Sequence, residues 1–124
     1  MFLRQPARST VRRTAFAGLA SLAATLALLG AGSARAADVE VQLVIRDHRF
    51  QPEELKVPAG QRIKIVVDNQ DSSPEEFESS SLKREKVIPG KSKGQVLVGP
   101  LKPGRYPFAG EFHEATAKGV LIVE

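Results

Sequence analysis

From residue 38 onward, apolar and polar positions alternate along most of the chain. Val39, Val41, Leu43 and Ile45 are interleaved with Asp38, Glu40 and Gln42, and only Val44 breaks the order before Arg46. Period two predicts a strand with one buried face. Leu55 and Val57 predict a second short strand, closed by Pro58-Ala59-Gly60. Ile63, Ile65 and Val67 predict a third, ending at Asp68-Asn69, and the polar stretch to Pro74 is a loop by composition. An extended piece begins at Phe77. Further strands are expected at Gln95 to Val98, Arg105 to Ala109 and Gly119 to Val123, with turns at Pro89-Gly90 and at Pro100 to Gly104. The polar segment Glu78 to Glu85 has no assignable period, and a single helical turn is allowed between Ser79 and Lys86. Pro107 lacks an N–H, so its strand is expected at an edge or with one ladder bond missing. About seven to eight short strands with regular turns predict an all-β, antiparallel Greek-key sandwich.

The first 36 residues read differently. Arg4, Arg8, Arg12 and Arg13 form a positive head, and Ala15 to Leu29 is apolar apart from Gly18, Ser21 and Thr25. Ala34-Arg35-Ala36 then supplies a small-x-small cleavage signal. This is the layout of a secretory signal peptide. The apolar run falls short of the ~20 residues that a spanning helix needs. The expected organisation is a cleaved leader at 1–36 and one domain at 37–124, exported to the periplasm. The Sec route is expected, with the twin-arginine route left open by Arg12-Arg13.

The leader changes the charge balance. The chain has 18 Lys+Arg and 14 Asp+Glu, net +4. Five of the arginines and none of the acids precede residue 37, which leaves 13 bases against 14 acids, net −1. The basic excess therefore gives no support for nucleic-acid binding. About 88 residues remain, enough for one small domain. There is no cysteine, so neither a disulfide nor a thiolate ligand can form.

Three segments carry a family resemblance. They are Phe50-Gln51-Pro52 with Leu55 to Gly60, Pro74-Glu75-Glu76-Phe77 after the asparagine, and Gly104 to Phe108 with the loop to His113 and the last strand. In order and spacing they resemble the cupredoxins. The resemblance implies copper ligands at four positions. Glu75 stands at the usual histidine, Gly110 at the cysteine, Lys118 at or near the methionine, and only His113 matches. Blue copper depends on a copper–thiolate bond, so a plastocyanin-like electron carrier is excluded on ligand grounds.

Carboxylates and imidazoles remain. Glu75, Glu76, Glu78, Glu111, His113 and Glu114 lie in the segments that surround the metal in that family. His48 lies in a loop at the same end. Such ligands suit copper(II), iron, manganese or zinc, and anionic oxygen favours iron(III) over iron(II). The strings Pro74 to Glu78, Gly110 to Glu114 and Thr116 to Gly119 are similar to cupredoxin-like proteins of bacterial ferrous-iron uptake, the EfeO N-terminal domain and FtrB-type periplasmic cupredoxins. That resemblance implies a copper(II) or iron ion, a periplasmic iron-binding protein and an oxidase-dependent iron permease as partner. It also raises ferrous oxidation as an activity.

Plainer readings stand beside these. His48 can be a polar loop residue on Phe50, the glutamates a solvated rim, and Tyr106 and Phe108 core. Lys118 opposes a cation or neutralises the carboxylates. Converging carboxylates should raise at least one pKa. Two further functions fit the same residues: a metal-free acidic docking module, and a copper(II) buffer or chaperone. No hydrolase or transferase motif is present.

Overall fold

The computed structural model describes residues 38–124; the leader expected at 1–36 lies outside the described residues. Among the described residues, nine strands form two sheets. The first sheet holds β1 (Val39–Arg46), β2 (Arg49–Gln51), β4 (Ile63–Asn69) and β7 (Ser92–Val98), in the order β2-β1-β4-β7. The second holds β3 (Glu54–Val57), β5 (Glu75–Ser79), β6 (Arg84–Ile88), β8 (Gly104–Gly110) and β9 (Lys118–Val123), in the order β3-β9-β8-β5-β6. A 3-10 turn, η1, spans Glu111–His113. Among the described residues, no helix is long and apolar enough to cross a membrane.

Alternation places the core where the apolar period predicts. Leu43 and Ile45, Ile63, Ile65 and Val67, and Val96 and Val98 face inward from the first sheet. Phe77, Phe108, Leu121 and Val123 meet them from the second. Burying each such side chain stabilises the fold by about 1.5–3 kcal/mol. Two pairs, β1–β4 and β3–β9, run parallel within the otherwise antiparallel sandwich.

The unassigned segment after Glu78 is half of a hairpin. β5 and β6 pair in register from Glu75↔Ile88 to Ser79↔Arg84, joined by a single hydrogen-bonded turn in which Lys83 N donates to Ser80 O at 3.2 Å, and not by a helix. Ser79 explains the turn: its Oγ donates to Pro107 O at 2.6 Å and accepts from Leu82 N at 3.3 Å. Pro107 is on an interior strand. It pairs with Val120 on β9, whereas the β5–β8 ladder covers only Phe77↔Gly110 and Glu78↔Ala109. Its missing N–H therefore costs no bond to β5.

Three phenylalanines tie the sheets together at one end. Phe50 meets Phe108 edge-on at 5.1 Å between centroids, and Phe108 stacks on Phe77 at 5.1 Å. Each lies two residues from a position at that end: Phe50 from His48, Phe77 from Glu75, Phe108 from Gly110. The aromatic cluster is the floor on which those positions rest. Aromatic pairs of this kind add about 0.5–1.5 kcal/mol beyond their buried area.

Candidate functional site

Glu75 starts β5 with its side chain inward, only 1% exposed. A buried carboxylate is costly unless its oxygens are bonded, and here both are. Oε1 accepts from Glu76 N at 3.1 Å and Phe112 N at 3.0 Å, and Oε2 lies 2.5 Å from His113 Nδ1. Gly110 makes room for it. A Cβ at 110 would stand 2.6 Å from Glu75 Cδ and 2.7 Å from Ala117 Cβ. The carboxyl therefore fills the space into which a side chain at 110 would project.

His113 is fixed by its loop as well as by Glu75. Gly110 N donates to Ala117 O at 2.9 Å, and Ala117 N to His113 O at 2.8 Å, closing the segment on itself. His48 lies flat against the His113 ring, centroids 3.6 Å apart and planes 14° apart. It is placed by an unusual hairpin. Asp47 and His48 alone link β1 to β2, and both have positive φ, 52° and 54°, as in the two-residue turns that normally use Asn-Gly. Neither residue is glycine, so the turn is strained.

Asp71 offsets that strain. Its Oδ1 and Oδ2 accept from Asp47 N at 2.9 Å and His48 N at 3.0 Å. Partial burial pushes the Asp71 carboxyl up. The two backbone N–H bonds and the nearby His48 and Lys91 outweigh that effect and leave its pKa below the usual value. Asn69, fully buried, holds the Asp71 loop: its Nδ2 donates to Ser73 O and Ile88 O, and its Oδ1 accepts from Asp71 N. Thr116 Oγ1 closes the other side by donating to His48 O at 2.5 Å.

The remaining glutamates lie elsewhere. Glu76 and Glu78 point outward from β5, on the face opposite Glu75 and Phe77. The hairpin register sets Glu85 beside Glu78. Glu111 lies close enough to this face for Glu76 above all, then partial desolvation, Glu85, Glu78 and Glu114, to raise its pKa. The repulsion expected from converging carboxylates thus falls on Glu111. None of these five makes a salt bridge among the described residues. A groove of about 860 Å3 on this face is lined by Glu78, Glu114 and Lys118 over Pro107, Ala109 and Gly119.

The sequence-predicted residues thus separate into two groups. Glu75, His113 and His48 come together inside and at the rim of one end. Glu76, Glu78, Glu111 and Glu114 form an outward acidic face. Lys118 belongs to that outward face, opposite Ala109 in the ladder. The position facing Gly110 is Ala117, fully buried, so Lys118 does not cap the inner cluster. Sequence reasoning also missed Asn69, Asp71, Thr116 and Glu85. Only Asn69, at a predicted strand end, carried a local signal.

The inner cluster does not fit a blue, thiolate-ligated copper ion. There is no thiol in the chain, Glu75 occupies the space beside Gly110, and both its oxygens are bonded. The lone pairs of stacked imidazoles lie in parallel ring planes and do not converge on one ion. Among the described residues, no group of three or more His, Cys, Asp or Glu is arranged to hold a metal.

Two β-sheets with this strand order and a loop-borne histidine at one end define a cupredoxin-type sandwich whose ligand set has been replaced. The chain belongs to the cupredoxin-like domain family, whose profile matches residues 18–123. It is 41% identical over 85 residues to an uncharacterized protein of Rickettsia prowazekii (strain Madrid E), covering 68% of each chain. Among solved structures it is similar to a copper binding protein in the apo form, with TM-score 0.61, 22% identity, and 68% of this chain and 86% of that one covered. It is also similar to auracyanin A, a "blue" copper protein of Chloroflexus aurantiacus, with TM-score 0.61, 15% identity, and 71% and 100% covered. At these identities the two structures establish the fold.

Proposed function

We propose that this is an exported, periplasmic, non-blue cupredoxin-like metal-binding protein that serves ferrous-iron uptake, meeting iron as cargo beside a periplasmic iron-binding protein and an oxidase-dependent iron permease. The observation that carries it is the Glu75–His113 pair. A buried carboxylate on one imidazole nitrogen orients the ring and leaves the other exposed as a donor, the arrangement that commonly backs a metal-ligating histidine. Glu75 is then a positioning residue, and His113 Nε2 is the donor, with no protein partner among the described residues. Glu76, Glu78, Glu111 and Glu114 present hard anionic oxygens on the separate outward face, and His48 supports the ring by stacking. Anionic oxygen suits iron better than it suits a soft copper(I) ion.

Titration of the protein with iron(II) and with copper(II), under controlled oxygen, tests this. Binding is followed by calorimetry and oxidation by a ferrous indicator. Saturable iron binding that His113→Ala abolishes supports carriage. Added loss of the ferrous signal, faster than in buffer, assigns oxidation as well. Tight copper(II) binding with no iron binding favours the copper buffer.

A second reading is favoured by the unpaired acidic face: a metal-free module docking a basic partner. It predicts no binding of either ion above a carboxylate background, and partner binding that weakens with salt.

A further inference from the structure

The sandwich leaves two strand edges open side by side. β6 ends the second sheet and β7 ends the first, and the two are neighbours in space. Among the described residues, no backbone hydrogen bond joins them. One side chain spans the gap: Arg84 Nε donates to Leu97 O at 2.8 Å. That bond fixes the phase of β7. Leu97 aims its carbonyl away from β4, and residues two apart in an antiparallel strand share direction. Lys93 and Gln95 therefore present their backbone N–H and C=O groups to the open edge.

The cleft between the edges has a volume of about 700 Å3 and is lined by Lys86, Val87, Pro89, Lys93, Gln95 and Leu97. Two of its walls are apolar and unusually bare. Val87 is 49% and Leu97 45% exposed, which makes them two of the three exposed large hydrophobics among the described residues. Its charge is of one sign. Lys83, Arg84, Lys86, Lys91 and Lys93 lie within eleven residues that hold Glu85 as their one acid, and Asp68 stands across the β4 ladder from Lys93. Neither Lys86 nor Lys93 makes a salt bridge among the described residues.

Lysines on an edge guard against pairing with another copy of the same chain. Two copies meeting here would bring like charges together. The same lysines favour an acidic strand, and a purely protective edge has no need of two bare apolar side chains beside them. We propose that this cleft receives an extended acidic segment of a partner protein, added as a short strand to β7. Its carboxylates would pair with Lys86 and Lys93, its apolar residues would rest on Val87 and Leu97, and its backbone would bond Lys93 and Gln95. Lys93 to Leu97 spans about 13 Å, so a segment of about four or five residues fills it. Strand addition of this type takes affinity from main-chain bonds and specificity from alternate side chains.

The probe is an acetylated, amidated five-residue peptide of alternating glutamate and valine, titrated into isotope-labelled protein and followed by amide shifts. The expected result is saturable shifts confined to β6 and β7, with at least tenfold weaker binding for Lys86→Glu/Lys93→Glu. Gln95→Pro removes one edge N–H without touching the β4 ladder or the charge, and it too should weaken binding tenfold. Methylating alternate peptide nitrogens gives the same readout on the unaltered protein if that variant does not fold. Unchanged binding after methylation or Gln95→Pro overturns the proposal in favour of surface charge alone. So does the absence of saturable shifts at millimolar peptide, or shifts centred on η1. Lysine-dependent binding to anionic phosphatidylglycerol vesicles without peptide binding overturns it in favour of a membrane surface.

Discussion

The side chain that residue 110 lacks and the carboxyl of Glu75 claim the same space. A Cβ there would lie 2.6 Å from Glu75 Cδ and 2.8 Å from its Oε1. A glycine at 110 and a buried glutamate at 75 are therefore a matched pair, and a side chain at 110 is incompatible with Glu75 in its observed place. The missing side chain at 110 and the buried carboxylate at 75 therefore accommodate each other.

The pair predicts non-additivity. Gly110→Ala should destabilise the protein by about 1–3 kcal/mol through overpacking. In a Glu75→Ala background the clash with the carboxyl is gone while the 2.7 Å contact with Ala117 Cβ remains, so the same change should cost less but still destabilise. Glu75→Ala itself should cost about 1–3 kcal/mol for each polar group left unpaired around it. Denaturant midpoints for the four proteins of the cycle give the coupling.

The hairpin predicts opposite outcomes for two truncations at one site. His48→Ala keeps the positive φ of a residue that resists it and loses the stack on His113, so a loss of about 1–2 kcal/mol is expected. His48→Gly loses the same stack but relieves the backbone, and should lie near the wild-type stability. A shared large loss in both would assign the stability to the ring and not to the turn.

The acid limit of the same hairpin follows from Asp71. Its folded pKa is lowered from the ordinary 3.8. The stabilisation it provides is therefore fully present above that value and is lost as pH falls through the lowered folded value. Amide exchange at Asp47 and His48 should accelerate over that acid window, beyond the intrinsic trend. In Asp71→Asn that pH-dependent step should vanish.

Glu111 has the opposite sign. Repulsion from Glu76, then partial desolvation and repulsion from Glu85, Glu78 and Glu114, raises its pKa. The penalty is absent below the ordinary pKa and grows as pH rises through the raised value. Glu76→Gln should bring the Glu111 titration, read from its side-chain carboxyl resonance, back toward the usual value. A cation bound at this face competes with protons, so iron affinity should fall on mild acidification.

The sandwich was legible because its signal is local. Val39 to Ile45 and Ile63 to Val67 alternate without help from the rest of the fold. The candidate cluster was legible in composition but not in direction. Nothing in Pro74-Glu75-Glu76-Phe77-Glu78 says that Glu75 turns inward, because that depends on the glycine at 110 and the N–H of Phe112, more than 30 positions away. β6 was missed for a related reason: Arg84 to Val87 are all exposed, so an edge strand paired on one side leaves no apolar period. Ala117 displaced Lys118 as the residue beside Gly110 because loop closure from Gly110 N to Ala117 O, and not residue spacing, sets which side chain points in.

The most direct test of the account is the location of iron by anomalous diffraction from crystals of the protein equilibrated with the ion. The expected result is one site at His113 Nε2, with the Glu75 contact to Nδ1 intact. An ion seated between Glu75 and His113 Nδ1, with the carboxyl displaced, would contradict the positioning role of Glu75. Ordered crystals with no localised ion would contradict carriage itself and leave the acidic face as a surface for a basic protein.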